Sequence, residues 1–240
     1  MRVPTLTATE IAGMIDHAIL KPELTRSEVD AQLDVAARYR VFSVCVRPGD
    51  VAHAVSRLDG TGVAVGTVIG FPHGTTSTAA KVAESRAAIA DGAAELDMVI
   101  NVGWLRSGLL DDAESDVRAV VGAAGGRIVK VILETALLSD EEIVAGCGVA
   151  ERAGAAFVKT STGFAGGGAT PEHVALMRRS VGPSVRVKAS GGVRDLDTVL
   201  AFHAAGVTRF GTSGTATILS DAADRDAGGS TRARVDDTSY

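Results

Sequence analysis

Only five of the 24 basic residues in this 240-residue sequence are lysine: Lys21, Lys81, Lys130, Lys159 and Lys188. Arginine meets the general need for positive charge, so a lysine inside an apolar run marks a position where arginine cannot serve. The chemical difference is the proton. Lysine can lose it and attack as an amine, whereas arginine effectively cannot. Lys130, Lys159 and Lys188 each lie within an apolar, β-branched run, as do Asp97 and Glu134. Charged residues are almost never fully buried without partners. An ion-pair network that fixes strand register accounts for Lys130 and Glu134. It accounts less well for Lys159 and Lys188, whose ammonium groups would repel one another and which one aspartate cannot cheaply neutralise in a low-dielectric interior. Repulsion and desolvation together favour the neutral amine. A neutral amine at pH 7 is the species that attacks a carbonyl to form an imine.

Glycine-rich stretches supply a second chemistry. Ser190-Gly191-Gly192-Val193-Arg194 and Gly211-Thr212-Ser213-Gly214-Thr215 follow two late apolar runs, and Thr160-Ser161-Thr162-Gly163 directly follows Lys159. Glycine lets backbone N–H groups approach an anion, and a helix N-terminus adds free donors and a favourable dipole. Gly163, Gly191, Gly192, Gly211 and Ser213 are therefore the candidate phosphate contacts.

These residues need a scaffold that brings them together. Strand-like runs occur at 15–20, 41–47, 63–71, 95–101, 127–134, 156–161, 185–190 and 207–212, each bounded by glycine, proline or polar residues. Helical spacing fills the intervals. It is clearest at 27–39 with Ser27 as cap, 76–91, 139–153 with a Ser139/Glu142 capping box, 170–181 with Pro171 at the first helical position, and 195–206. Eight strand–helix units in about 220 residues predict an α/β protein with a parallel sheet, a single (β/α)8 TIM barrel. An open doubly wound sheet is the alternative, but Lys21-Pro22-Glu23-Leu24 after the first run lacks that fold's glycine-rich phosphate turn. Alternate strand residues face a barrel's interior, which points Lys159, Lys188 and Asp97 toward one space. The expected division is a catalytic barrel over residues 1–220 and a flexible C-terminal tail over 221–240, a stretch rich in Gly, Ser, Asp and Arg.

Composition narrows the class. A net charge of −5 gives no basic field for nucleic acid. The N-terminus has no leader-like pattern, and no apolar run is long enough to span a membrane. Cys45 and Cys147 do not form a disulfide framework, and a cytoplasmic setting is expected. Cys45 is expected to face the barrel interior as a small hydrophobe. The five histidines are scattered without metal-ligand spacing, so no metal and no cofactor is expected.

Seven segments, in order, resemble the deoxyribose-phosphate aldolase family: Asp16-His17-Ala18-Ile19-Leu20-Lys21-Pro22, Ser43-Val44-Cys45-Val46, Val68-Ile69-Gly70-Phe71-Pro72, Glu95-Leu96-Asp97-Met98-Val99-Ile100-Asn101, Lys130-Val131-Ile132-Leu133-Glu134-Thr135, Phe157-Val158-Lys159-Thr160-Ser161-Thr162-Gly163-Phe164 and Val187-Lys188-Ala189-Ser190-Gly191-Gly192-Val193-Arg194. The resemblance runs from about residue 10 to 220. It implies a (β/α)8 barrel and a class I, metal-free carbon–carbon lyase that interconverts 2-deoxy-D-ribose 5-phosphate with acetaldehyde and D-glyceraldehyde 3-phosphate. It also implies that Lys159 forms the imine, with Lys188 as the second lysine. Asp97 is then the proton shuttle, acting through a water and in contact with Lys188. Ala18 stands where the family commonly has threonine, and GTSGT at 211–215 where it usually has GTSSG.

Asp16, Cys45, Lys130 and Tyr240 are accessory candidates, Tyr240 as a phenol that dips from the tail into the site to assist proton transfer. The expected partners are a phosphosugar and aldehydes, with no nucleic acid and no membrane, and a homodimer is allowed. Another phosphate-binding barrel enzyme such as an isomerase, a silent phosphosugar sensor and a metal-dependent aldolase each fit part of the pattern. Only the imine-forming enzyme needs the lysine pair.

Overall fold

The computed structural model describes residues 6–228. Eight parallel strands close into a barrel in sequence order: β1 (Ile15–Ile19), β2 (Ser43–Val46), β3 (Ala64–Ile69), β4 (Glu95–Val99), β5 (Ile128–Ile132), β6 (Phe157–Lys159), β7 (Arg186–Ser190) and β8 (Val207–Thr212). The ten helices among the described residues are α1 (Ala8–Ala12), α2 (Arg26–Tyr39), α3 (Val51–Arg57), α4 (Thr78–Ala90), α5 (Val102–Arg106), α6 (Leu110–Ala123), α7 (Asp140–Arg152), α8 (Pro171–Ser180), α9 (Leu196–Ala204) and α10 (Thr215–Asp226). The (β/α)8 expectation holds, and all eight strands lie within the runs anticipated from sequence.

The strand sequences explain why the sheet closes with a polar centre. In β7, Val187 and Ala189 face the helices, where the main apolar core lies, and Lys188 takes the other parity. In β4, Leu96 and Met98 join that core while Glu95 and Asp97 face inward. Leu20, Cys45 and Val68 form a separate small apolar cluster with Ala18 and Phe71. Burial of each large apolar side chain contributes on the order of 1.5–3 kcal/mol, and most of that gain comes from the layer between sheet and helices.

The helix ends correct two expectations. Thr25, not Ser27, caps α2: its side chain accepts from Glu28 N, and Glu28 returns to the Thr25 backbone N–H. The Thr-x-x-Glu spacing makes the reciprocal box, and Ser27 falls inside the first turn. Residues 221–226, expected in the flexible tail, continue α10 to Asp226. Ile218, Leu219 and Ala222 form an apolar stripe that is fully or almost fully buried, and this holds the helix although its other positions are polar. Tyr240 lies outside the described residues. The Ser139/Glu142 box on α7 and Pro171 at the first position of α8 agree, and the structure adds caps from Thr170 on α8 and Asp195 on α9. Away from the barrel axis, the fully buried Lys81 of α4 donates to Asp116 of α6 at 2.6 Å and to Val99 O at 3.0 Å, joining helix to helix and helix to sheet.

Candidate active site

Three neighbouring strands deliver the central lysines. Lys130, Lys159 and Lys188 sit on β5, β6 and β7, with Lys159 directly paired to Lys188 in the β6–β7 register. Asp97 of β4 reaches all three. Its Oδ2 accepts from Lys159 Nζ at 2.8 Å and from Lys188 Nζ at 2.8 Å, and its Oδ1 accepts from Lys130 Nζ at 2.7 Å. Asp97 thus touches the Lys159 amine directly and also makes the contact with Lys188 that the resemblance implied. Asp16 of β1 closes the other side, accepting from Lys188 Nζ at 2.5 Å. Ser43 donates to Asp16 Oδ1 at 2.6 Å.

Burial and charge set the protonation of this cluster. Lys159 is 3% exposed, and its pKa is held below the ordinary lysine value, first by desolvation. Asp97 pulls it upward and Lys188 pushes it down. Lys188 is equally buried, yet Asp16 and Asp97 together outweigh desolvation and raise it. Two adjacent lysines are thus pushed in opposite directions, Lys159 toward the neutral amine and Lys188 toward the cation. Desolvation would raise Asp97, but Lys130, Lys159 and Lys188 overcome it and hold the carboxyl well below the usual range. Burial pushes the Cys45 thiol up to about 11, so it stays protonated near neutrality.

A cavity opens above the cluster at the C-terminal ends of the strands. Lys159, Lys188, Asp16 and Cys45 form its floor, with Ala18 and Leu20 on the β1 side. Asp97 and Lys130 are not in its lining; Asp97 reaches it through Lys159 and Lys188, and Lys130 lies beside Asp97 and Asp16. The far wall is made by Gly163, Gly191, Gly192, Gly211 and Ser213, all five expected phosphate contacts, joined by Arg194.

The local chain explains that wall. Gly191 and Gly192 both have positive φ (76° and 77°), the left-handed region that favours glycine, and consecutive N–H groups in such a turn form an anion-binding concavity. Helix α10 starts just beyond Ser213 with no side-chain cap, so its first N–H groups face this end. Gly211 meets a different demand. A Cβ there would lie 2.9 Å from Ser190 Cβ and 3.2 Å from Lys188 Cε, so only glycine lets β8 pass this close to the lysine.

Sequence reasoning did not nominate two residues of the buried network, Arg209 and Glu95. Arg209 donates to Asp16 Oδ1 at 2.7 Å and to Glu95 Oε2 at 3.0 Å. Glu95 also pairs with Lys130 at 2.6 Å. The usable signal was a charged residue inside a strand run, on the parity of Asp97 for Glu95 and two residues before Gly211 for Arg209. Arg194 went unassigned as well, and Glu134, expected in a register-fixing ion-pair network, is instead held by Thr162. Glu134 is 2% exposed, and both its oxygens accept from Thr162 N at 3.2 Å while Oε2 also takes the Thr162 hydroxyl. This ties the loop after Lys159 to the end of β5.

A family model described as DeoC/LacD family aldolase matches residues 10–221. A deoxyribose-phosphate aldolase of Staphylococcus haemolyticus is 55% identical over 202 residues, spanning 84% of this chain and 92% of that protein. Among solved structures, a candidate deoxyribose-phosphate aldolase from Coccidioides immitis superposes with a TM-score of 0.86 at 43% identity, covering 92% of this chain and 91% of that one. The tetrameric deoxyribose phosphate aldolase of Aeropyrum pernix superposes at 0.84 with 30% identity, covering 90% and 93%.

Proposed function

The chain belongs to the DeoC/LacD family of aldolases; we propose that it cleaves 2-deoxy-D-ribose 5-phosphate reversibly to acetaldehyde and D-glyceraldehyde 3-phosphate through an imine on Lys159. The observation that carries this reading is a buried amine on the cavity floor with a lowered pKa, flanked by one cation and one carboxylate.

In the cleavage direction the neutral Lys159 amine adds to C1 of the open-chain sugar. Loss of water from the carbinolamine leaves an iminium, whose positive charge Asp97 stabilises from 2.8 Å. The C3 hydroxyl gives up its proton and the C2–C3 bond breaks, its electrons flowing into the iminium. Glyceraldehyde 3-phosphate departs and an enamine remains. Protonation at C2 and hydrolysis release acetaldehyde and restore the amine. Asp97 and Lys188 share the proton transfers: Lys188 donates to Asp97 at 2.8 Å and lines the cavity, which links the buried carboxylate to the substrate. Proton transfer of this kind contributes typically ~10²–10⁴-fold. Gly191, Gly192, Gly211, Ser213 and the start of α10 hold the phosphate, with Arg194 supplying charge at the same end. That anchors the far end of the sugar and orients C1 toward Lys159.

Imine chemistry asks for no metal. Two buried free cysteines fit the cytoplasm as its setting, and phosphosugar and aldehyde as its partners. Deoxyribose 5-phosphate cleavage measured with Lys159→Ala as control tests the assignment. The variant is expected to lose at least about 10³-fold in kcat while still binding the phosphosugar. Turnover within a few-fold of the parent would remove Lys159 from the mechanism.

A further inference from the structure

The ion contacts beneath the cavity form one connected chain. Lys188 touches Asp16 and Asp97, Lys130 touches Asp97 and Glu95, and Arg209 bridges Glu95 back to Asp16. No side chain in this ring is more than 4% exposed. Leaving Lys159 aside, it holds three carboxylates (Asp16, Glu95, Asp97) and three cations (Lys130, Lys188, Arg209). The ring is balanced when Lys159 is neutral and carries one uncompensated positive charge when Lys159 is protonated. An uncompensated charge in a dry interior is the costly state.

Resting on the reading of Lys159 as the imine-forming amine, we propose that Glu95 and Arg209, which never reach the substrate cavity, are positioning residues whose charges complete this balance and thereby keep Lys159 neutral. Both are built to hold charge in place. The Arg209 guanidinium stacks on Phe42 at 3.6 Å and faces Phe157 at 5.4 Å, which fixes it while it donates to two carboxylates. Glu95 Oε2 takes both its ion contacts, whereas Oε1 has no hydrogen-bond partner.

The other groups around Lys159 do not disturb the count. From β2 comes the Cys45 thiol, which stays protonated. β3 presents Gly66 and Val68, neither of which titrates. Glu134, beyond β5, is held by Thr162 and interacts electrostatically with Lys159, an influence that is the same in the parent and in every variant of the ring. Arg186 on β7 is exposed at the opposite end, stacked on Phe157 at 4.0 Å.

The test is the acidic limb of kcat/KM for deoxyribose 5-phosphate cleavage, which reports the free enzyme's essential amine. Arg209→Gln removes a cation, favours protonated Lys159 and moves the limb to higher pH. Glu95→Gln removes an anion and moves it to lower pH. Each shift is expected to be about one pH unit, the effect of a unit charge roughly 10 Å away at an effective dielectric of ~20. The double variant restores the balance and returns the limb to its parental position. Arg209→Lys, which keeps the charge, leaves it unmoved.

Simple loosening of the barrel would displace both single variants in the same direction, so opposite shifts support the proposal and like-signed or absent shifts overturn it. If a single variant does not fold, the double variant decides: a parental limb supports the balance and a displaced limb overturns it. Borohydride trapping of acetaldehyde on Lys159 in the parent is run alongside. Failure of trapping sinks the imine reading itself, whereas trapping with unmoved limbs sinks only the role given to Glu95 and Arg209.

Discussion

Lys159 and Lys188 sit side by side in register, nearly equally buried, yet their protons behave differently because their carboxylate neighbours differ. Lys188 faces both Asp16 and Asp97, whereas Lys159 has Asp97 alone. Replacing Lys188 with methionine removes the cation that disfavours protonated Lys159. The acidic limb of kcat/KM is then expected to move upward by roughly one to two pH units, with kcat also falling through loss of the proton relay. Lys188→Arg should hold the limb near its parental position. A Lys188→Met enzyme whose limb stays put would mean that burial alone keeps the amine neutral. The pair was legible in the sequence because lysine is scarce there and both residues interrupt apolar strands on the inward parity. Arg209 was not, because arginine is common in this chain and one more in a strand raised no question. Asp16 was visible only through the DHAILKP resemblance, since an aspartate near a strand's start also suits a turn. Its two cationic partners come from β7 and β8, more than 170 residues away.

At the level of elements, each strand must hold an inward residue against its helices. β1 does so through His17, which is fully buried on the helix side between α2 and α10. Its Nε2 donates to Gln32 Oε1 at 2.9 Å, and its Nδ1 accepts the Thr215 hydroxyl at 2.8 Å. This pins Asp16 and the start of α10 at one site. Burial lowers the His17 pKa from 6.5 to about 4. As pH falls through that window the unfolded chain binds a proton that the folded chain refuses, so stability declines with acid. The slope is at most about 1.4 kcal/mol per pH unit, for a total of roughly 3 kcal/mol. About 2 kcal/mol of this falls between pH 7 and pH 5, so stabilities from urea unfolding at the two pH values are expected to differ by that amount in the parent and to converge in His17→Asn. An unchanged difference in the variant would place the acid sensitivity elsewhere. Element positions were easier to read than element ends. β6 stops at Lys159 although its apolar run continues to 161, because the Thr160 hydroxyl donates to Ser190 O and the chain turns to form the rim. α10 extends past the expected boundary because Ile218, Leu219 and Ala222 outweigh the polar residues around them.

Across the molecule the barrel separates two jobs. The apolar layer between sheet and helices carries the fold, and the interior is given to charge, with the cavity above and the Arg209–Phe157–Arg186 stack below. Eight units at regular spacing made the barrel readable from sequence, whereas the closed ring of ion contacts depends on β1 meeting β8 and only exists once the sheet has closed. The cavity likewise joins residues from both ends of the chain, Asp16 with Ser213, so amine and phosphate wall act on one substrate. Deoxyribose without its phosphate is therefore expected to be cleaved with kcat/KM lower by at least about 10²-fold, part of the loss appearing in kcat because remote binding orients the reacting carbon. Equal efficiency on both sugars would mean that the glycine wall does not hold a phosphate. The most direct test of the whole account is acetaldehyde trapping with borohydride across pH, with the modified peptide located by mass. The account predicts a single adduct, on Lys159, still forming efficiently at neutral pH. Adduct on another lysine, or on Lys159 only at the alkaline pH of an ordinary ammonium, would contradict it.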